Sequence, residues 1–272
     1  MSATGTARGR RAAARILALL ALVVPACGGA GPSARPAGDQ LVVSAAASLQ
    51  DAFRALGQDF ERTHPGVQVM LNFAGTQELQ MQLEHGADAD VFASADQDHM
   101  RALVAAGRVA APVVFARNEP VLVVAKDAAA TIRGLSDLPQ ADRVVIGVAD
   151  VPIGRYTLQV LDRAAAQLGG DFRARVEAKV VSRELNVRQV LAKVLLGEAQ
   201  AGIVYRTDAR AAPELAVVDI PAGVNVIADY PIAVVNGAAH AALAHAWLDY
   251  VLSRPGQRIL RHAGFLAPAG ER

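Results

Sequence analysis

Apolar positions along this chain follow two alternating rhythms. One is the short run or strict alternation of strands, the other the i, i+3, i+4, i+7 spacing of a buried helical face. Leu41-Val-Val-Ser44 reads as a strand, and Leu49, Ala52, Phe53, Leu56 and Phe60 follow at helical spacing. Val67, Val69, Leu71 and Phe73 then alternate with polar partners, and Leu79 and Leu83 mark a second helix. Asp90-Val-Phe-Ala-Ser94 leads into a helix with Met100, Leu103 and Val104. Val113-Val-Phe and Val121 to Ala125 form an extended segment interrupted by Arg117-Asn-Glu-Pro120. Farther on, Val144 to Val148 predicts a strand, Val151-Pro-Ile-Gly154 a tight turn, and Tyr156 to Leu168 a helix stopped by Gly169-Gly170. Short strands are expected at 179–181, at Val217 to Ile220 and at Tyr230 to Val235, before a last long helix with Leu243, Trp247, Leu248, Val251 and Leu252 on one face.

The stretch from Arg183 to Ala209 carries its punctuation most completely. Val187, Val190, Leu191, Val194 and Leu195 predict a helix over 187–196, with Asn186 as N-cap, Gln189 reaching back as in a capping box, and Gly197 as C-terminal stop. The run Ala201 to Tyr205 is too short for a helix and reads as a buried strand ending in a phenol. Similar strand, small-residue turn and helix successions occur at Ala45 to Ser48, Ala74-Gly75-Thr76 and Val151 to Gly154, where Ser48 and Thr76 are candidate caps. A helix start leaves backbone N–H groups unpaired and carries partial positive charge, so such turns bind anions without any charged side chain. The alternation of strands and helices predicts an α/β fold with mostly parallel sheets, whose ligands sit at the carboxyl ends of strands.

Other candidate chemistry is weaker. Asp88, Asp90, Asp96, Asp98 and His99 cluster, but at no metal-ligand spacing, and solvated caps and turns explain them; Asp96 is the expected cap of its helix. His64, His85, His99, His240, His245 and His262 form no ligand or triad spacing.

Compartment comes from the first residues. Arg8, Arg10, Arg11 and Arg15 precede the apolar Ile16 to Val24, then Pro25, Ala26 and Cys27, which predicts an export signal over 1–26. Val24-Pro-Ala-Cys27 resembles a bacterial lipobox, so acylation of Cys27 and a flexible linker over 27–38 are expected. Loss of residues 1–26 takes away four Arg and no acid, leaving 23 basic against 26 acidic side chains. A balance so near neutral gives no ground for nucleic-acid binding.

The segments AAASL (Ala45 to Leu49), NFAGTQEL (Asn72 to Leu79), ADVFASAD (Ala89 to Asp96), VPIGRY (Val151 to Tyr156), NVRQVL (Asn186 to Leu191) and GIVYRTDA (Gly202 to Ala209) resemble, in order and spacing, the molybdate-binding proteins of bacterial ABC importers. The resemblance covers the chain from the linker onward. It implies a two-lobed periplasmic binding protein fold of type II with two interlobe crossings: residues 39–117 and 229–272 in one lobe, 118–228 in the other. It further implies a tetrahedral oxyanion, molybdate or its near-isostere tungstate, held between the lobes by neutral hydrogen bonds. Carried over residue by residue, Ser48 and Thr76 give hydroxyl and amide, Ile153 and Val187 backbone amides, and Tyr205 its phenol. Thr76 stands where Ser is common, and Arg155 and Arg188 lie beside the site without being needed as ligands. The implied partner is an importer permease, with the protein a monomer at the outer face of the membrane and no cofactor.

Three other readings compete. A binding protein for sulfate or another oxyanion shares the architecture. A serine hydrolase built on Ser48 lacks a Gly-x-Ser-x-Gly elbow and an assignable base. A regulator of the same two-lobed shape lacks a helix-turn-helix segment ahead of the lobes.

Overall fold

A computed structural model describes residues 39–270; the expectations for the export signal, Cys27 and the linker fall outside the described residues. The first half of the chain forms β1 (Asp39–Ala46), α1 (Gln50–Thr63), β2 (Val67–Ala74), α2 (Thr76–Glu84), β3 (Val91–Ala93), α3 (Gln97–Ala105), β4 (Val113–Asn118) and β5 (Pro120–Val124). It continues through β6 (Val144–Gly147), α4 (Pro152–Leu168), α5 (Phe172–Glu177), β7 (Val180–Glu184), α6 (Val187–Leu195), β8 (Ala201–Tyr205), α7 (Arg206–Arg210) and β9 (Ala216–Asp219). The last elements are β10 (Ala228–Val234), α8 (Ala241–Leu252) and α9 (Arg254–Ala263).

Two five-stranded sheets organise these elements, in the orders β2-β1-β3-β10-β4 and β7-β6-β8-β5-β9. The chain leaves the first sheet after Asn118, enters the second at Pro120, and returns between β9 and β10. The α/β, two-lobed expectation holds, but the sheets are mixed rather than mostly parallel. In the first, β1 runs parallel to β2 and β3, while β10 is antiparallel to β3 and β4. In the second, β6 is parallel to β7 and β8, while β5 is antiparallel to β8 and β9. The reversed strands β5 and β10 are those that enter a sheet from the other lobe. Helix crossovers, which enforce parallel pairing, join only the remaining strands.

Local chemistry explains the element ends. Asp96 Oδ1 accepts from His99 N–H at 3.1 Å, and Asn186 Oδ1 from Gln189 N–H at 3.1 Å, so these two of the four expected caps form, whereas Ser48 lies inside the 3-10 turn Ala47–Leu49 and caps no helix. Gln189 reaches back one residue beyond the cap, accepting from Leu185 N–H at 3.0 Å. Thr76 is not a cap: Gly75 is, and Thr76 occupies the first helical position. Helix α4 starts at Pro152, earlier than the apolar spacing suggests, because proline suits a first turn whose N–H has no intrahelical acceptor. The turn expected at Val151 to Gly154 is therefore that first turn. The expected last long helix is α8, and a further helix, α9, follows it, capped by Ser253, which accepts from Gly256 N–H at 3.3 Å.

Packing fixes these starts in space. An added Cβ at Gly154 would lie 1.9 Å from Val148 O, so only glycine lets α4 begin directly against the end of β6. In the first lobe, Trp247 packs edge-on against Phe53 and Phe60, with ring centroids 5.8 and 5.3 Å away. Trp247, Phe53 and Phe60 are all fully buried, which ties α1 and α8 to one face of the sheet.

Candidate functional site

Four chain reversals meet between the sheets. Ser48 lies in the short 3-10 turn Ala47–Leu49 that follows β1, and Thr76 is the first residue of α2 after β2. From the other lobe come Ile153, the second residue of α4, Val187, the first of α6, and Tyr205, the last of β8. All five residues singled out in the sequence line one cavity. About 10 Å³ of it is open to the centre of a water-sized sphere, the scale of one small solute and not of an extended organic ligand.

The lining is neutral. It contains no Arg, Lys, Asp, Glu or His; its polar side chains are Ser48, Thr76, Asn186 and Tyr205. The starts of the 3-10 turn, α2 and α4 carry no side-chain cap, which leaves their first N–H groups to be satisfied by something else. Thr76 Oγ1 accepts from Ala95 N–H at 3.3 Å, and Ser48 Oγ lies 2.9 Å from the Tyr230 hydroxyl. Tyr205 is 1 % exposed, and its hydroxyl has no partner. Among the described residues it is the only such buried, unpartnered side chain lining the cavity. Burial pushes its phenol well above the ordinary value, so it remains protonated and can donate.

The two arginines beside the site span the cleft instead of entering it. Arg155 Nη1 lies 3.2 Å from Asp96 Oδ2 and also contacts Asp98, both on the opposite lobe. Arg188 Nη2 lies 2.5 Å from Asp51 of the first lobe, and its Nε 2.7 Å from Asp208 Oδ1 of its own. Gln77 Nε2 donates to Leu185 O at 2.8 Å, a further contact across the cleft.

Of the acidic cluster, Asp88 and Asp98 are exposed and Asp96 caps α3 as expected from the sequence, but Asp90 and Asp96 are not solvated. Asp90 is buried, accepting from Val42 N–H at 2.8 Å and from His240 N–H at 2.9 Å. Asp96 is buried too, and binds His99 Nδ1 at 2.9 Å as well as capping α3. A carboxylate can leave solvent when backbone N–H groups replace its water, and nothing in residue spacing announces that. Among the described residues no group of three or more His, Cys, Asp and Glu is placed to hold a metal ion.

Sequence reasoning missed Tyr230. It is fully buried, touches Ser48 Oγ, and its ring packs edge-on against Tyr205 with centroids 5.8 Å apart. Its place at the start of an expected apolar strand gave only a packing signal.

A small, neutral cavity between two α/β lobes, bordered by cross-cleft contacts of Arg155 and Arg188, is the site of a protein that binds a small solute. Ser48 is held by a phenol and not by a His or carboxylate, so it has no activating base. Comparison with known proteins gives the family. The sequence model for bacterial extracellular solute-binding proteins matches residues 41–266, and the chain belongs to that family. It is therefore an extracytoplasmic binding protein and not an enzyme. It is 39 % identical over 261 residues to the molybdate-binding protein ModA of Mycobacterium tuberculosis, covering 93 % of this chain and 96 % of that one. The substrate-binding domain of a putative molybdenum ABC transporter from Clostridium difficile is 27 % identical, with a TM-score of 0.64 over 84 % of this chain and 99 % of that one. The sulfate-binding protein SubI of Mycobacterium tuberculosis shares the fold at 20 % identity, with a TM-score of 0.74 over 85 % and 88 % of the two chains.

Proposed function

We propose that this protein captures molybdate, and also tungstate without strong discrimination between the two, between its lobes and hands it to the permease of an ABC importer. The observation that carries this reading is the Tyr205 hydroxyl: a protonated, fully buried donor, unpartnered within the protein, facing a cavity of other neutral donors. A buried donor left without an acceptor costs about 1–3 kcal/mol, which an oxyanion's oxygens remove. Ser48 and Thr76 would donate their hydroxyls, and the starts of α4 at Ile153 and α6 at Val187 their backbone amides. The name of the Mycobacterium tuberculosis relative supports molybdate as the anion. The fold alone leaves sulfate as the alternative, since the sulfate-binding SubI shares it.

Neutral donors suit a carrier. Fixed dipoles replace the dianion's hydration while the lobes are closed, and opening returns water to both sides without a buried ion pair to break. Size then separates molybdate from sulfate, whose oxygens offer the same acceptors. The lobes are assigned as 39–117 with 229–272, and 118–228, except that Asn118 and Ala228 pair with each other in the first sheet and so belong to the first lobe. An acyl group on Cys27 would tether the monomer to the outer face of the membrane after loss of residues 1–26. Calorimetric titration of the purified protein with molybdate, tungstate and sulfate in one buffer tests the reading. Tight 1:1 binding of the first two with much weaker sulfate binding is expected; binding of sulfate alone, or of none, would overturn it.

A further inference from the structure

Outside the cavity, a histidine stands where the two lobes meet. His99 of α3 shares a surface hollow with Gln77 and Glu84 of α2, Asp98 of its own helix, and Asp150 and Arg155 of the opposite lobe. Its ring is buried, with 6 % of the side chain exposed. Nδ1 lies 2.9 Å from both carboxylate oxygens of Asp96. An ionised carboxylate only accepts, so Nδ1 carries the proton of the neutral ring and Nε2 keeps a lone pair. Nε2 lies 4.0 Å from Asp150 Oδ1, which is another acceptor. Two acceptors make no bond, but a second proton on Nε2 turns the ring into a cation with a donor aimed at Asp150. Asp150 is 76 % exposed at its side chain, which leaves it free to close the remaining distance.

We infer that His99 is a positioning residue that, once protonated, latches onto Asp150 across the cleft, so that the lobes close more firmly and solute affinity rises as pH falls. The inference rests on the reading of the cavity as a solute site between closing lobes, and it couples that closure to a proton. Both ends of the latch adjoin the cavity. Asp150 shortly precedes Val151 and Ile153 in the lining, and Asp96 follows Ala95, a lining residue whose N–H binds Thr76 Oγ1 at 3.3 Å. Histidine is the side chain whose charge ordinarily changes between about pH 5 and 8. The neighbouring charges set the sign. Arg155 opposes a cation on His99, but it is engaged by Asp96 at 3.2 Å and by Asp98, which also contacts Arg101. On α2, Glu78 accepts from Gly75 N–H at 3.0 Å and Glu84 from Gln80 Nε2 at 2.8 Å. On β10, Asp229 stands opposite Arg117, and the Tyr230 hydroxyl reaches Ser48. Among the described residues, Asp150 is the only acid within 4.0 Å of Nε2.

The test is molybdate affinity by calorimetry from pH 8 to 6, where the anion stays a dianion, in the unmodified protein, Asp150→Asn, His99→Gln and the double variant, with the His99 ring signals followed by NMR. Over that interval the affinity of the unmodified protein should rise about threefold more than that of Asp150→Asn, the scale of an ion pair with one exposed partner. By linkage, bound molybdate should also raise the protonated fraction of His99 at pH 6. Asp208, whose carboxyl burial pushes up to about 7, titrates in the same interval, but both proteins carry it, so the difference between them cancels its effect. In the His99→Gln background, Asp150→Asn should leave the pH profile unchanged, which is the signature of action through His99. Matching profiles in the unmodified protein and Asp150→Asn, or an effect of Asp150→Asn that persists without His99, would overturn the inference while the solute reading stands. If molybdate bound at no pH, the solute reading would fall by itself, and the NMR arm would still decide the latch. A smaller protonated fraction of His99 at pH 6 in Asp150→Asn than in the unmodified protein upholds the contact, and an equal fraction removes it.

Discussion

Arg188, the second residue of α6, reaches across the cleft to Asp51 in the first turn of α1, with Nη2 2.5 Å from the carboxylate. The same guanidinium lies 2.7 Å from Asp208 on its own lobe, so one cation touches both halves of the molecule beside a helix start that lines the cavity. Arg155 repeats the pattern on the other side, against Asp96 and Asp98. Charge in this site lies at the rim, where it favours closure, and not in the cavity, where it would grip the solute.

Breaking the more exposed partner should therefore loosen closure without unfolding the protein. Asp51 is 52 % exposed at its side chain, so the pair contributes at most about 1 kcal/mol. Asp51→Asn is expected to raise the molybdate dissociation rate up to a few-fold, with the melting temperature of the ligand-free protein nearly unchanged. Stopped-flow release at low and high salt checks this, because the difference from the unmodified protein should shrink as salt screens the pair. A variant whose release rate matches the unmodified protein at low salt would remove closure as the role of Arg188.

Asp208 makes a different prediction. It is fully buried, and burial pushes its carboxyl up to about 7 in spite of the neighbouring Arg188. The unfolded chain gives up this proton near the ordinary value of 3.8, while the folded protein keeps it to about 7. Between those values the folded state binds more protons than the unfolded one, so stability declines as pH rises and levels off above the folded value. The contribution is fully present below 3.8 and lost through 7, on the order of 1 kcal/mol per pH unit between them. Melting of the ligand-free protein from pH 4 to 8, compared with Asp208→Asn, isolates it. The unmodified protein should lose stability relative to the variant across that range, and parallel curves would show that Asp208 does not hold its proton.

How far the sequence could disclose this site depends on which physics carries each residue. Helices with one apolar face, and caps such as Asn186 and Asp96, are written in local spacing, so α1, α3 and α6 were legible. Ser48, Thr76, Ile153, Val187 and Tyr205 stood out as a set only through their likeness to a family, and the structure brings them to one cavity. Tyr230 was not legible, since its hydroxyl meets Ser48 from 182 residues away along the chain. The burial of Asp90 rests likewise on amides of Val42 and His240, which no local pattern joins. Antiparallel entry of β5 and β10 escaped for the same reason: apolar runs of buried strands look alike whichever way the strand points.

Gly154 tests whether the start of α4 must sit where it does. A methyl group there meets Val148 O at 1.9 Å and Gly147 O at 2.7 Å, both backbone atoms that cannot rotate away. Gly154→Ala should displace the first turn of α4, lowering stability by roughly 1–3 kcal/mol and carrying the Ile153 amide out of place. Melting curves with and without molybdate read both effects. The variant should lose melting temperature in the absence of ligand and gain less from added molybdate than the unmodified protein does. A normal response to molybdate would show that the Ile153 amide is not part of the site.

Tyr205 and Thr76 separate binding from folding. The Tyr205 hydroxyl has no partner in the protein, so Tyr205→Phe removes an unsatisfied buried group from the ligand-free state. The melting temperature of the ligand-free protein should stay the same or rise, while molybdate affinity falls by the equivalent of about 1–3 kcal/mol, as for a lost donor to a charged group. Thr76 is different because its oxygen also accepts from Ala95 N–H at 3.3 Å. Thr76→Val keeps the shape but orphans that amide, so affinity and ligand-free stability should fall together, whereas Thr76→Ser, which keeps the hydroxyl, should preserve both within about 0.5 kcal/mol. Paired calorimetry and melting on the three variants give the answer. If Tyr205→Phe lowered ligand-free stability and left affinity intact, its hydroxyl would be serving the fold, and the observation on which the oxyanion reading rests would be gone.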